Sequence, residues 1–407
     1  MTKSREAGQA KQQSDDAFVK LCSEGDAARV RAFLSQKANA PKGLGDCEEA
    51  LFDAHGDSAL HHAVSGGHTT VTQLLLELGG LDVDIPNARN ETALQLACRK
   101  ADLSIVSMLL KATADPNRRD ANGLTPFLSG VFMGGNLQIL DMLAQAGANI
   151  SIQDYRGVSA LHFGALRGDM VLQGWLLERK ADVDLQTSHN TTALMLAVKR
   201  GDMASVELLQ RHEANANLTD EAGCTALMQS LSAGNVEVAE AILAAGASLD
   251  VVDSAGRSAL FHAVLGGKLE GLAKVIERQG RINSLDEEGR SPLYQACLMG
   301  SETMVQCLLE GKADPNLAGR SSVVRASLPE EEEEGAARAC LEEARTCLQV
   351  CATLAHNNLV SIMLDHGADV DAAPGALQWT SLHLCAAVGN EEGVAMLLAR
   401  GANIFSE

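Results

Sequence analysis

Four histidines crowd the start of the chain, His55, His61, His62 and His68, and imidazoles at that density are the donors of a zinc site. A second group is sulfur-based. Cys347 and Cys351 are one helical turn apart, with Cys340 upstream, and thiolates so placed bind zinc or exchange disulfides. Each group has a plainer reading. Two of the histidines fall at fixed positions of a repeat and two on turns. The cysteines lack a visible fourth ligand or a feature that would lower a thiol pKa, so packing is their expected role. A nucleophile, its base and an orienting group cannot be assembled from the spacing, and no Gly-rich phosphate loop or kinase signature is present. The chain is expected to be non-enzymatic, with no catalytic, metal or cofactor residue.

What positions these side chains is a period. A Ser or Thr preceding an apolar pair recurs at Ser58, Thr92, Thr125, Ser159, Thr192, Thr225, Ser258, Ser291, Thr346 and Thr380. Successive markers are 33 or 34 residues apart except for one step of 55. Such a period over most of 407 residues predicts stacked units in which each touches its neighbours. Every part of the unit has a physical reason. Asp-x-x-Gly makes a tight turn, as at Asp120 to Gly123, Asp220 to Gly223 and Asp286 to Gly289. The marker hydroxyl caps a first helix, with Pro at its first position in Pro126 and Pro292. Small residues, among them Ala63, Ala97, Gly130 and Gly164, let neighbouring helices approach. Glycine then ends the helix (Gly67, Gly168, Gly201, Gly234, Gly300, Gly389), and a second apolar helix follows.

This pattern resembles the ankyrin repeat, on Ser58-Ala-Leu-His61, Ser159-Ala-Leu-His162, Thr380-Ser-Leu-His383 and the unit ends Gly147-Ala-Asn149 and Gly367-Ala-Asp-Val-Asp371. The resemblance implies an all-α ankyrin-repeat solenoid of helix-turn-helix units joined by β-turn or hairpin loops. It implies a structural hydrogen bond from His61, His162 and His383 to a neighbouring turn. It says little of function, because the family is a binding scaffold with many unrelated partners.

The expected organisation is a disordered tail over 1–14, an N-terminal capping half-repeat over 15–40, a loop over 41–52, repeats 1 to 8 over 53–319, an acidic Ser/Glu-rich insertion over 320–340 and repeats 9 and 10 over 341–407. In the cap, Asp16 starts a short helix, Gly25 ends it, and a second helix runs to Leu34. The insertion, with Glu330 to Glu334, is placed between the opening turn of repeat 9 and its first helix, and the stretch from Ala336 is a candidate extension of that helix. The net charge of −20 predicts repulsion of nucleic acid and anionic lipid. Ten cysteines without a C-x-x-C pair suit a reducing compartment, with cytoplasm expected and nucleus open. No apolar run has the ~20 residues of a membrane helix.

Function is sought on the face that the family resemblance makes concave: the turn tips and the ends of the first helices. These positions hold Arg89, Arg99 and Lys100 in repeat 2, Phe132 and Met133 in repeat 3, and Tyr155, Arg156, Leu166 and Arg167 in repeat 4. Repeat 5 adds His189, Lys199 and Arg200, repeat 7 Leu265, and repeat 8 Leu298 and Met299. A very acidic chain thus carries a basic, partly apolar stripe. The expected function is a monomeric protein-binding scaffold or adaptor that takes an acidic, extended partner segment there. The competing role for the cations is to oppose helix dipoles. A further alternative is the ankyrin portion of a longer enzyme, channel or ubiquitin-ligase receptor. The final unit favours it: Gly-Ala-Asn-Ile-Phe405-Ser-Glu closes without a polar cap.

Overall fold

The computed structural model describes residues 17–38, 52–53, 56–77, 81–320, 344–375 and 378–404. The expected tail, almost all of the 41–52 loop, Asp16 and all of the insertion but Arg320 lie outside the described residues. The helices fall into two compact units, Met1–Ser188 and His189–Glu407. Each unit is an all-α stack of ankyrin repeats in which a repeat contributes two antiparallel helices.

Within each unit the first helices pack on first helices and the second on second. Ala93–Arg99 lies against Pro126–Phe132, and Ala226–Ser232 against Ala259–Leu265. The small residues account for the close approach: Ala63, Ala97, Ala197, Ser230, Ala296, Cys351 and Cys385 are completely buried. Each first helix starts where the marker folds its hydroxyl back. Thr92, Thr125, Thr192, Thr225, Ser291 and Thr346 accept the N–H three residues on. Ser258 departs from this, for its hydroxyl pairs with that of Ser284 at 2.8 Å. Helix-ending glycines take positive φ, 70° at Gly168 and 69° at Gly201, a conformation that costs a side chain roughly 1–2 kcal/mol. Ala101 and Ala355 hold the equivalent position at φ 57° and 55°.

The cap pairs helical residues 17–24 with Ala27–Ala38, which extends past Leu34. Phe18 stacks on Phe33 at 4.7 Å, and Gly25 turns between the helices with φ 75°.

The insertion sits differently from expectation. Ala318–Gly319 pairs antiparallel with Arg345–Thr346, Ala318 opposite Thr346. In repeat 4 the equivalent bridge, Gln153 with Ser159, closes directly over the tight turn. The described residues on either side of the insertion thus flank the place that the tight turn holds in repeat 4, rather than a position after it. Arg345–Thr346 is extended and the helix of repeat 9 begins at Cys347, while the stretch from Ala336 to Glu343 lies outside the described residues.

Six thiols, Cys22, Cys98, Cys297, Cys347, Cys351 and Cys385, are buried among the described residues and pack as small apolar groups. Cys297 lies beside Cys347 and Cys351, and burial, with these neighbouring thiols, pushes its pKa well above the ordinary value. Burial likewise raises Cys22 to about 12.

Candidate partner-binding face

The face is built from turns that copy one another. The Asp154 carboxylate accepts the N–H groups of Arg156 at 2.9 Å and Val158 at 2.7 Å, while Gly157 N–H closes the turn on Asp154 C=O at 3.0 Å. Asp120 does the same for Asn122 and Leu124, both at 2.8 Å. Asn87 substitutes in repeat 2, where Asn90 takes the left-handed place of glycine at φ 58°. Each turn then hangs on the one before. Ala121 N–H donates to Arg89 C=O, Tyr155 N–H to Asn122 C=O and Ser188 N–H to Arg156 C=O, at 2.9, 3.1 and 2.8 Å. The turn tips are therefore a fixed ladder, and their side chains stand at set intervals.

Between this ladder and the ends of the first helices lies a cavity of about 540 Å³ in the first unit. Arg89, Arg99, Phe132, Tyr155 and Arg156 line it, five of the residues chosen from sequence. Phe163 lines its apolar side, meeting Phe132 edge-on at 5.6 Å. Tyr155 is 66% exposed, with the Arg119 guanidinium 5.7 Å from its ring.

The cations differ in what holds them. Arg99 pairs with buried Glu91 at 2.8 Å. Arg156 lies 3.6 Å from Asp154 but keeps 76% of its side chain exposed. Among the described residues Arg89 makes no ion pair, and it is exposed. Lys100 and Arg167 instead reach back to the preceding repeat. Lys100 donates to Ser65 C=O, and Arg167 to Val131 C=O at 2.8 Å and to Phe132 C=O. These carbonyls end the preceding first helix, so both cations satisfy orphan acceptors at its negative pole, the competing role set out above. Arg167 also stands 6.0 Å from the Phe132 ring. Met133 and Leu166 are exposed but do not line the cavity.

A family model described as ankyrin repeats (3 copies) matches residues 18–120, 80–154, 161–253, 227–319 and 317–407. The chain belongs to the ankyrin-repeat family. Similar proteins include the B-cell lymphoma 3 protein homolog of Mus musculus, 32% identical over 120 residues, which are 28% of this chain and 27% of that one. A putative ankyrin repeat-containing protein of Treponema pallidum (strain Nichols) is 35% identical over 158 residues, 39% of this chain and 50% of that one. Palmitoyltransferase AKR1 of Debaryomyces hansenii is 35% identical over 120 residues, 28% of this chain and 14% of that one. The chain thus matches between about a quarter and a half of the length of the first two relatives. Among the described residues no helix is long and apolar enough to cross a membrane.

His61 makes the bond to a neighbouring turn that the family resemblance implies, while His383 is seen on its own marker Thr380. His61 Nδ1 meets Ser58 at its hydroxyl and N–H, and Nε2 reaches Glu91 C=O at 2.9 Å in the next turn. Burial, opposed only in part by the Glu91 contact and nearby carboxylates, lowers its pKa. Gln95 plays the same part in repeat 2, receiving Thr92 N–H at 2.7 Å and donating to Leu124 C=O at 2.7 Å. His62 turns away to Asp53, and His68 to Ser23 C=O at 2.8 Å, so these three imidazoles do not converge; His55 lies outside the described residues.

In the second ankyrin unit the ladder continues from Glu221 N–H on His189 C=O to Arg320 N–H on Glu288 C=O, both at 3.1 Å. The His189 imidazole contacts Glu221 at 2.8 Å. Lys199 and Arg200 end an exposed helix terminus, Met299 is 44% exposed, and Leu298 is half-buried. Sequence reasoning missed Arg119, Phe163 and Glu91. Arg119 and Phe163 meet their partners only through stacking of residues some thirty positions apart. The one local signal is Glu91 to Arg99, an acid and a base on the turn and helix end of one repeat.

Proposed function

We propose that the first unit binds a protein partner through the cavity between repeats 2 and 4, and that the segment it takes is extended, acidic and carries an apolar anchor. The observation that carries this reading is the placing of Phe132, Phe163 and Tyr155 beside the exposed guanidinium groups of Arg89 and Arg156, on a turn ladder fixed by backbone bonds. Aromatic and Arg side chains in a pre-formed pocket are the groups that dominate interface energetics, and a pre-formed surface loses little entropy on binding. The reading makes the protein a non-enzymatic scaffold.

The test is a random peptide library selected against the full chain and then against the double variant Arg89→Glu/Arg156→Glu. Peptides rich in Asp and Glu around one large apolar residue should be enriched and should lose most of their affinity for the double variant. Enrichment without acidic bias, or equal binding to the variant, would sink the proposal. A second reading, one part of a longer multidomain protein, is favoured by the small share of Palmitoyltransferase AKR1 that the match covers. Immunoblotting of the endogenous protein at the size of the 407-residue chain would remove it.

A further inference from the structure

Three donor groups of different chemistry meet in the second unit, between the turns of repeats 6 and 7. The Cys224 thiol, an Asp253 carboxylate oxygen and a ring nitrogen of His262 all lie within 4.8 Å of one another. Asp253 and His262 are buried, and Cys224 is partly open to solvent. His262 directs Nε2 to Asp253 Oδ2 at 3.0 Å, while Nδ1 meets the Ser232 hydroxyl at 2.7 Å.

The His–Asp contact by itself belongs to the scaffold. Repeat 1 makes it between His62 and Asp53 at 3.0 Å, and repeat 6 makes its counterpart between Gln229 and Asp220 at 2.8 Å. What repeat 7 adds is a thiol, delivered from the preceding turn, where the Cys224 N–H is fixed by Asp220 Oδ1 at 2.8 Å. Repeat 1 offers a second carboxylate, Asp57, in its cluster and no sulfur.

We infer that Cys224, Asp253 and His262 form a binding site for a divalent cation of borderline softness, of the Zn²⁺ class. Sulfur, imidazole and carboxylate are the donors that such a cation takes. Bond lengths of roughly 2.0–2.3 Å put the donors of a tetrahedral site roughly 3.3–3.8 Å apart. The 3.0 Å His–Asp contact and the 4.8 Å limit on the group bracket that spacing, so shifts of about 1 Å or less in the three donor side chains complete it. Ser232 holds Nδ1 of His262, as the outer partner of a ligating histidine does, leaving Nε2 to the metal. The thiol proton passes to solvent on binding, and a water fills the fourth position from the open side of Cys224.

One group opposes the cation. Arg257 donates to Asp253 Oδ2 at 2.8 Å and is 33% exposed, so it must swing outward. Asp220, with its other oxygen on Gln229, adds negative charge nearby. The cation ties the two turns together, and it should raise the Tm because it binds only the folded stack.

The experiment is a Co²⁺ titration of the full chain followed by absorption, with Zn²⁺ as competitor. A thiolate-to-cobalt band in the near-ultraviolet and strong visible bands of a four-coordinate ion are expected, both removed by Zn²⁺. Cys224→Ser should abolish the near-ultraviolet band with the circular dichroism unchanged. Ser232→Ala should weaken Zn²⁺ roughly ten-fold. Arg257→Gln should tighten it several-fold, a gain that misfolding cannot mimic. Absence of the thiolate band, its survival in Cys224→Ser, or no gain in Arg257→Gln overturns the assignment.

Discussion

Repeats 4 and 7 use arginine in opposite ways. In repeat 4 the arginine is Arg156 at the turn tip, three residues before the marker. Its guanidinium stays 76% exposed and only approaches Asp154, at 3.6 Å. In repeats 7 and 8 the arginines are Arg257 and Arg290, directly before the marker, and each lays Nε on its own turn carboxylate at 2.8 Å. Arg290 also reaches Glu288 at 3.2 Å and is only 20% exposed. A shift of two positions along the same turn thus decides whether a cation stiffens the scaffold or stays in solvent. Asp253 shows the consequence. Burial works to raise its pKa, but the N–H groups of Arg257 and Ala255, with His262 and the guanidinium, outweigh it and hold the carboxyl below its usual range.

The largest test of that contrast is removal of the two turn carboxylates. Asp253→Ala strips partners from two N–H groups, His262 and Arg257, and a loss of about 3–4 kcal/mol in urea unfolding is expected. Asp154→Ala orphans two N–H groups and frees an arginine already in solvent, so about 2 kcal/mol is expected. Equal losses would break the distinction. Next comes binding. Once a selected peptide is in hand, Tyr155→Ala should weaken it by about 2 kcal/mol, measured by calorimetry, with folding stability changed by less than ~0.5 kcal/mol.

His61→Gln sharpens the comparison between histidine and glutamine at one position. The folded-state pKa of His61 lies below the ordinary value of 6.5, with burial the leading cause. The unfolded chain therefore binds the proton first, and stability falls as pH drops through 6.5 toward the lower folded value. Asp57, His62 and Glu91 supply the charges around it. The glutamine variant copies Gln95 of repeat 2 and should keep its stability at pH 7 within about 1 kcal/mol. Its urea midpoint should decline less than wild type on acidification below 6.5, and a parallel decline would count against this origin. The smallest effect is expected from Ala101→Gly in the first unit and Ala355→Gly in the second. Each relieves a left-handed alanine, and a gain of about 0.5–1 kcal/mol in thermal unfolding is expected.

Much of the scaffold was legible in sequence because its contacts are short-range. Thr125 caps a helix through Leu128, Asp154 folds onto Val158, and Gly168 ends a helix four residues after Gly164. Each bond spans five residues or fewer, so type and spacing carry it. The candidate cavity was only half legible. Arg89, Arg99, Phe132, Tyr155 and Arg156 were found by repeat position, and the cavity gathers them. The same positional rule selected Lys100 and Arg167, which the preceding helix takes up through its terminal carbonyls.

By itself the sequence determined the period, the helix pair, the caps and the turns, since local backbone and side-chain bonds settle them within one repeat. The tertiary structure decided which cations face outward, where the insertion leaves the hairpin, and that a thiol at 224 meets an imidazole at 262. Those outcomes depend on stacking, which sets residues of adjoining repeats side by side. No periodic pattern states which of two neighbouring side chains will claim a shared carboxylate.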